Sequence, residues 1–245
     1  MLSAATRQRA RERATVISDE IVAVPNDEWR GLGGLSGDVI LHWAALHATG
    51  DPRYERALHA SLQRAARSDG FAVGLYVGIS GVRAAAALAK DFEPRYERLV
   101  QQCDERIEAA IPEQFERPPS FHVFDIIGGW AGVRLARCVR GPRDADRFTE
   151  ALAWLIGDWD RWKCPHPEDE DEIPVHDMGL AHGVAGMLSA IALTVNERFE
   201  RDVVLKCAQQ LLDSKRGGRD FAVWPHSLEH DDVDELRSAW CYGTC

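Results

Sequence analysis

Four Gly-x-x-Gly pairs recur at similar intervals along the chain, at Gly34/Gly37, Gly78/Gly81, Gly129/Gly132 and Gly183/Gly186. After the first glycine of each pair the sequence turns apolar: LSGDVILHWAAL, ISGVRAAAALAK, WAGVRLARCV and VAGMLSAIALTV. A single pair carries little information. Glycine lacks a Cβ, however, so two backbones can approach closely there and a helix can leave an irregular loop. Four such helix starts after similar intervals mark a repeat architecture, which limits the chain to stacked or closed arrays of one unit. A fifth element opens at Gly243, and the sequence stops before its second glycine. The fourth, Asp177-Met178-Gly179-Leu180-Ala181-His182-Gly183, sets a histidine directly ahead of its glycine pair. The helix after it, over Met187–Val195, is apolar nearly all round, as a buried helix is.

Between the glycine pairs lie helices of a second kind. Asp51 and Pro52 give a start signal for one over 51–67, with Tyr54, Leu58, Leu62 and Ala65 on one face. Equivalent stripes are Tyr96, Val100, Cys103 and Ile107 in 93–111, and Phe148, Leu152, Leu155, Trp159 and Trp162 in 144–163. Val203, Val204, Cys207, Leu211 and Leu212 form another in 198–214, and residues 4–24 supply a first such helix. Apolar residues at helical spacing opposite charged ones predict amphipathic outer helices around apolar inner ones. Periodicity leaves open whether these hairpins form an open solenoid or close into a ring.

Composition narrows the function. A formal net charge of −10 argues against a nucleic-acid partner, which requires a basic face. There is no apolar run of about 18 residues to span a bilayer. The N-terminus runs into charge rather than an apolar signal core, so a cytoplasmic protein is expected. Six cysteines are too sparse for a disulfide scaffold. Cys103, Cys138 and Cys207 fall in apolar stripes and read as small core residues.

The longer connections, 112–125, 165–183 and 216–240, all precede a glycine-pair helix, and connections this long are often functional. They deliver Asp125, His182 and Cys241 to equivalent places. An acid, a histidine and a thiol brought together would suit cysteine-based nucleophilic catalysis or a metal site. Taken singly, His182 also suits a structural helix-capping role and Asp125 a helix entry or turn. Cys164-Pro165-His166 with His176 reads as a chance cluster, and Glu168–Glu172 as a solvated loop tip.

The set DIIGG (from Asp125), GLAHGVAG (from Gly179) and RSAWCYG (from Arg237) resembles the lanthionine synthetase C-like cyclases, with the similarity running from GLGGLSG at Gly31 onward. The resemblance implies an all-α fold, an α/α toroid of inner and outer helix layers forming one domain over 1–245. It implies zinc-dependent addition of peptide cysteine thiols to dehydroalanine or dehydrobutyrine in lantibiotic biosynthesis. Cys241 matches a zinc ligand and His182 the active-site histidine, while Asp125, Arg237 and Tyr242 match further site residues. A metal-bound thiol is a thiolate near neutral pH, a histidine can move the proton, and an arginine can stabilise the enolate. Asp125 would orient or charge-balance the histidine. The expected partner is a dehydrated precursor peptide, with a lanthipeptide dehydratase as a second candidate.

The family's other two zinc ligands, a Cys-His pair, come from a later repeat that this sequence does not contain. The toroid is therefore expected to be incomplete at the C-terminus, as in a truncated or frameshifted frame or a fragment. Zinc binding should be weak and cyclisation impaired. Cys245 is a poor substitute, because catalytic zinc takes three protein ligands in fixed geometry. Two other readings stand beside this one. One is a non-catalytic toroid that binds a peptide or a dehydratase. The other is a glycosidase-like toroid, for which no persuasive carboxylate pair is present.

Overall fold

A computed structural model describes residues 3–23, 31–67, 72–115, 121–141, 152, 163, 176–193, 198–215 and 224. The described residues are helical, with no strand among them. The helices are α1 (Ala4–Ala23), α2 (Leu35–Thr49), α3 (Pro52–Arg67), α4 (Ile79–Ala89), α5 (Tyr96–Phe115), α6 (Phe121–Phe124), α7 (Trp130–Cys138), α8 (Val184–Ala192) and α9 (Arg198–Asp213). No described helix is long and apolar enough to cross a membrane. The chain divides into two compact units, residues 1–110 with 139–141, and residues 111–138 with 142–245.

In the first unit, α2 packs against α1, α3 and α4. The sequence around Gly50 shows how one helix is stopped and the next begun. Gly50 takes the left-handed conformation (φ 71°) and its amide donates to the Leu46 carbonyl, closing α2. Asp51 then accepts the Arg53 amide at 2.8 Å, and Pro52 opens α3 where no amide is needed. The expected stripe of Tyr54, Leu58, Leu62 and Ala65 is fully buried. Truncating Leu58 to alanine should cost about 2–5 kcal/mol. Helix α4 is buried along nearly its whole length, including the run Ala84–Ala87. Small side chains there let neighbouring helices approach.

The same unit buries polar groups in pairs. Arg83 on α4 donates from Nε to Asp104 Oδ1 on α5 (3.2 Å) and from Nη1 to the Val139 carbonyl (2.8 Å). Ser18 on α1 meets His42 Nδ1 on α2 at 2.7 Å, and burial pushes the His42 pKa down. A buried charge or imidazole without a partner would cost far more than these contacts return.

The second unit holds α6 to α9. Helix α8 packs against both α7 and α9. Cys207 of α9 is buried, and burial pushes its thiol up to about 12. With Cys103 also buried, the assignment of these cysteines to the core holds, whereas Cys138 is only half-buried.

Several boundaries differ from expectation. Of the connection expected over 112–125, the described residues 112–115 and 121–124 are helical, since α5 runs through Pro112 to Phe115 and α6 spans Phe121–Phe124. Pro112 sits in the last turn, where it forfeits one amide hydrogen bond without ending the helix. Helix α8 occupies Val184–Ala192 rather than 187–195, and Leu193 just beyond it is exposed. Leu212 lies outside the α9 stripe and is also exposed, because it points about 100° away from Leu211 on the helix. Of the helix expected over 144–163, only Leu152, which is buried, and Lys163 lie among the described residues.

Candidate active site

Each glycine pair marks a helix start, and a close backbone approach explains why glycine is needed there. The first glycine immediately precedes α2, α4, α7 and α8. At Gly183 a Cβ would run into the Asp177 carbonyl, and at Gly186 into that of Leu180. The loop that these contacts fold tightly is the one carrying His182. Its ends are joined where the Val184 amide donates to the Asp177 carbonyl at 2.9 Å. Asp177 Oδ1 accepts the Gly179 amide at 2.6 Å, which fixes the first turn.

The loop ahead of α7 lies alongside it. The Ile126 amide donates to the Ala181 carbonyl at 3.0 Å, and the Ile126 side chain packs against Gly186. Asp125 is anchored twice. Its carbonyl accepts the Gly132 amide, and its Oδ1 accepts the amides of Gly128 (2.7 Å) and Gly129 (2.8 Å) at the entry to α7. That leaves Oδ2 directed at the other loop, where it meets His182 Nδ1 at 2.6 Å. The carboxylate is fully buried, while the imidazole is 29% exposed. Two side chains that are 57 residues apart in sequence thus form a short, charge-assisted bond at the N-terminal end of α8.

The hydrogen bond that His182 donates to Asp125 raises the His182 pKa, and the charges of Asp125 and Asp177 add to it against the opposing effect of burial. With Nδ1–H donating to the carboxylate, the tautomer and ring plane are fixed, and Nε2 becomes the atom through which the ring exchanges a proton. An imidazole held this way can act as base when neutral and as acid when charged, near neutral pH.

The structure therefore brings together Asp125 and His182. Arg237, Cys241 and Tyr242 lie outside the described residues, as do Cys164, His166 and Glu168–Glu172. His176 is buried immediately before Asp177. The sequence reading missed Asp177, although an aspartate two residues before a glycine is a recognisable turn signal. Among the described residues no three His, Cys, Asp or Glu side chains form a group able to hold a metal ion.

No curated protein matches the sequence significantly. The solved structure of nisin cyclase is similar to this chain, with a TM-score of 0.70 at 18% identity, covering 97% of this chain and 68% of that one. At that identity the likeness speaks for the fold, and it bears out the all-α, α/α-toroid class. The sequence itself matches the lanthionine synthetase C-like proteins over residues 28–245. That match spans most of its length, from the first glycine pair to the WCYG element, and the chain belongs to the lanthionine synthetase C-like family.

Proposed function

We propose that this protein acts in thioether ring formation, adding a peptide cysteine thiol across the double bond of a dehydroalanine or dehydrobutyrine. The observation that carries this reading is the 2.6 Å bond between His182 Nδ1 and the buried carboxylate of Asp125, at a partly exposed imidazole. Family membership supplies the reaction class. In the addition, a sulfur–carbon bond forms at the β-carbon while the thiol proton ends on the α-carbon. A single histidine of raised pKa suits both halves. It takes the thiol proton through Nε2 and, as imidazolium, returns it to the enolate carbon. Asp125 holds the ring and balances its charge at the intermediate stage. Arg237 is assigned to the enolate oxygen and Tyr242 to the same site. Cys241 is the assigned zinc ligand, and bound zinc would supply a substrate thiolate near neutral pH.

The test is to incubate the purified chain with a dehydrated peptide bearing one free cysteine and to follow the loss of alkylatable thiol by mass spectrometry. His182→Ala should slow ring closure by about 10²–10⁴-fold, the usual worth of a general acid–base group. Ring closure at the wild-type rate in that variant would remove His182 from the chemistry. Peptide retention without ring closure, surviving Cys241→Ala, would assign a binding role instead.

A further inference from the structure

The second and fourth repeats contain the same loop with two informative differences. Residues 72–81 read AVGLYVGISG and residues 177–186 read DMGLAHGVAG. Their backbones close alike. The Ile79 amide donates to the Ala72 carbonyl at 3.0 Å, as the Val184 amide does to Asp177 at 2.9 Å. A Cβ on Gly78 would strike the Ala72 carbonyl and one on Gly81 the Leu75 carbonyl, matching Gly183 against Asp177 and Gly186 against Leu180. Both first glycines cap their helices in an extended conformation. In this register Val77 occupies the place of His182, and Ala72 that of Asp177.

The loop therefore folds without a carboxylate at its first position. In the copy that carries the histidine, a carboxylate is present there and is buried, 4% exposed, despite the cost of taking a charge out of water. Its Oδ1 holds the Gly179 amide and lies against Gly183, the residue next to His182, since a Cβ on Gly183 would come within 2.5 Å of it. We propose that Asp177 is a positioning residue for His182, fixing the loop that carries the imidazole and adding a second carboxylate to its surroundings.

The inference rests on the assignment of His182 as the proton-transfer group. Returning a proton to the enolate carbon requires the charged ring, which a second nearby anion favours. Among the described residues, the charges acting on the ring are Asp125, from the loop ahead of α7, and Asp177 from its own loop. His176 precedes Asp177, and Arg134 is buried on α7, the helix packed against α8. Both remain in the variants and so act as a constant background.

The experiment compares Asp177→Asn and Asp177→Ala with wild type, using the full chain. Asparagine keeps an acceptor for the Gly179 amide and removes the charge, while alanine reproduces the second repeat. The His182 ring is titrated by NMR, its resonances assigned by their loss in His182→Ala, and ring closure is followed across pH. In both variants the His182 midpoint should move to lower pH. The alkaline limb of the ring-closure profile should follow it, with kcat falling on the order of tenfold, less than the ~10²–10⁴-fold expected for loss of the histidine itself. A midpoint and pH profile unchanged in both variants would overturn the proposal and leave Asp177 a turn residue only. A midpoint that shifts while His182→Ala still closes rings at the wild-type rate would uphold the influence of Asp177 on the ring and overturn the assignment of His182.

Discussion

Asp125 links the fold to the chemistry, and substitutions at this position separate the two contributions. Its side chain is fully buried and accepts three hydrogen bonds, two from backbone amides and one from His182. Asp125→Ala leaves the amides of Gly128 and Gly129 without an acceptor. An unsatisfied buried donor costs about 1–3 kcal/mol. Gly129 is buried and bears that cost in full, whereas half-buried Gly128 can recover water and falls at the low end. The sum is roughly 2–4 kcal/mol, or a melting point lower by roughly 4–16 °C at about 2–4 °C per kcal/mol for a chain of this size. Asp125→Asn keeps an oxygen for both amides, so its melting point should stay much closer to wild type. It places an amide nitrogen opposite His182 Nδ1, which favours the tautomer with the proton on Nε2. A reversed tautomer can cost up to about 10⁴-fold in rate. Thermal melts and thiol-capping rates on the same preparations make the comparison. The alanine variant should lose stability and ring closure, and the asparagine variant chiefly ring closure. Equal melting points for Asp125→Ala and wild type would refute the anchoring argument. Undiminished ring closure in Asp125→Asn would refute the orienting one.

Other consequences follow from single contacts. Because the His182 pKa is raised in the folded state, the stability it contributes is fully present below the unfolded value near 6.5 and is lost as pH rises through the folded value. The stability gap between wild type and His182→Asn, from denaturant melts, should therefore be largest near pH 5.5 and shrink toward pH 9; a constant gap would mean the pair is not charged. Gly183→Ala should destabilise by about 1–3 kcal/mol or more, because the obstructing Asp177 carbonyl is backbone and cannot rotate away. Its melting point is the measurement. Cys207, with its thiol pushed up to about 12, should resist iodoacetamide at pH 8 until the protein is unfolded, as peptide mapping of native and denatured samples would show.

What the sequence revealed follows the range of the interactions concerned. Helix starts are local, set by Asp51-Pro52 or by a glycine that must pass a carbonyl, and they could be read from a few residues. Pro112 misled because a proline's effect depends on its turn within the helix, and Leu212 because two adjacent apolar residues cannot both face one side. The meeting of Asp125 and His182 could be anticipated through the repeat, which places both ahead of a glycine pair, and through the family resemblance, which makes the aspartate the histidine's partner. Their bond itself depends on loop geometry that no pattern encodes. Asp177 went unnoticed because aligning glycine pairs compares helices, and its meaning appears only when the preceding loops are superposed and alanine is found in its place. The sequence also presented two rival roles for Asp125, helix entry and catalytic support. These are compatible because a carboxylate has two oxygens. One is spent on the amides at the start of α7, and that fixes the direction in which the other can reach the histidine.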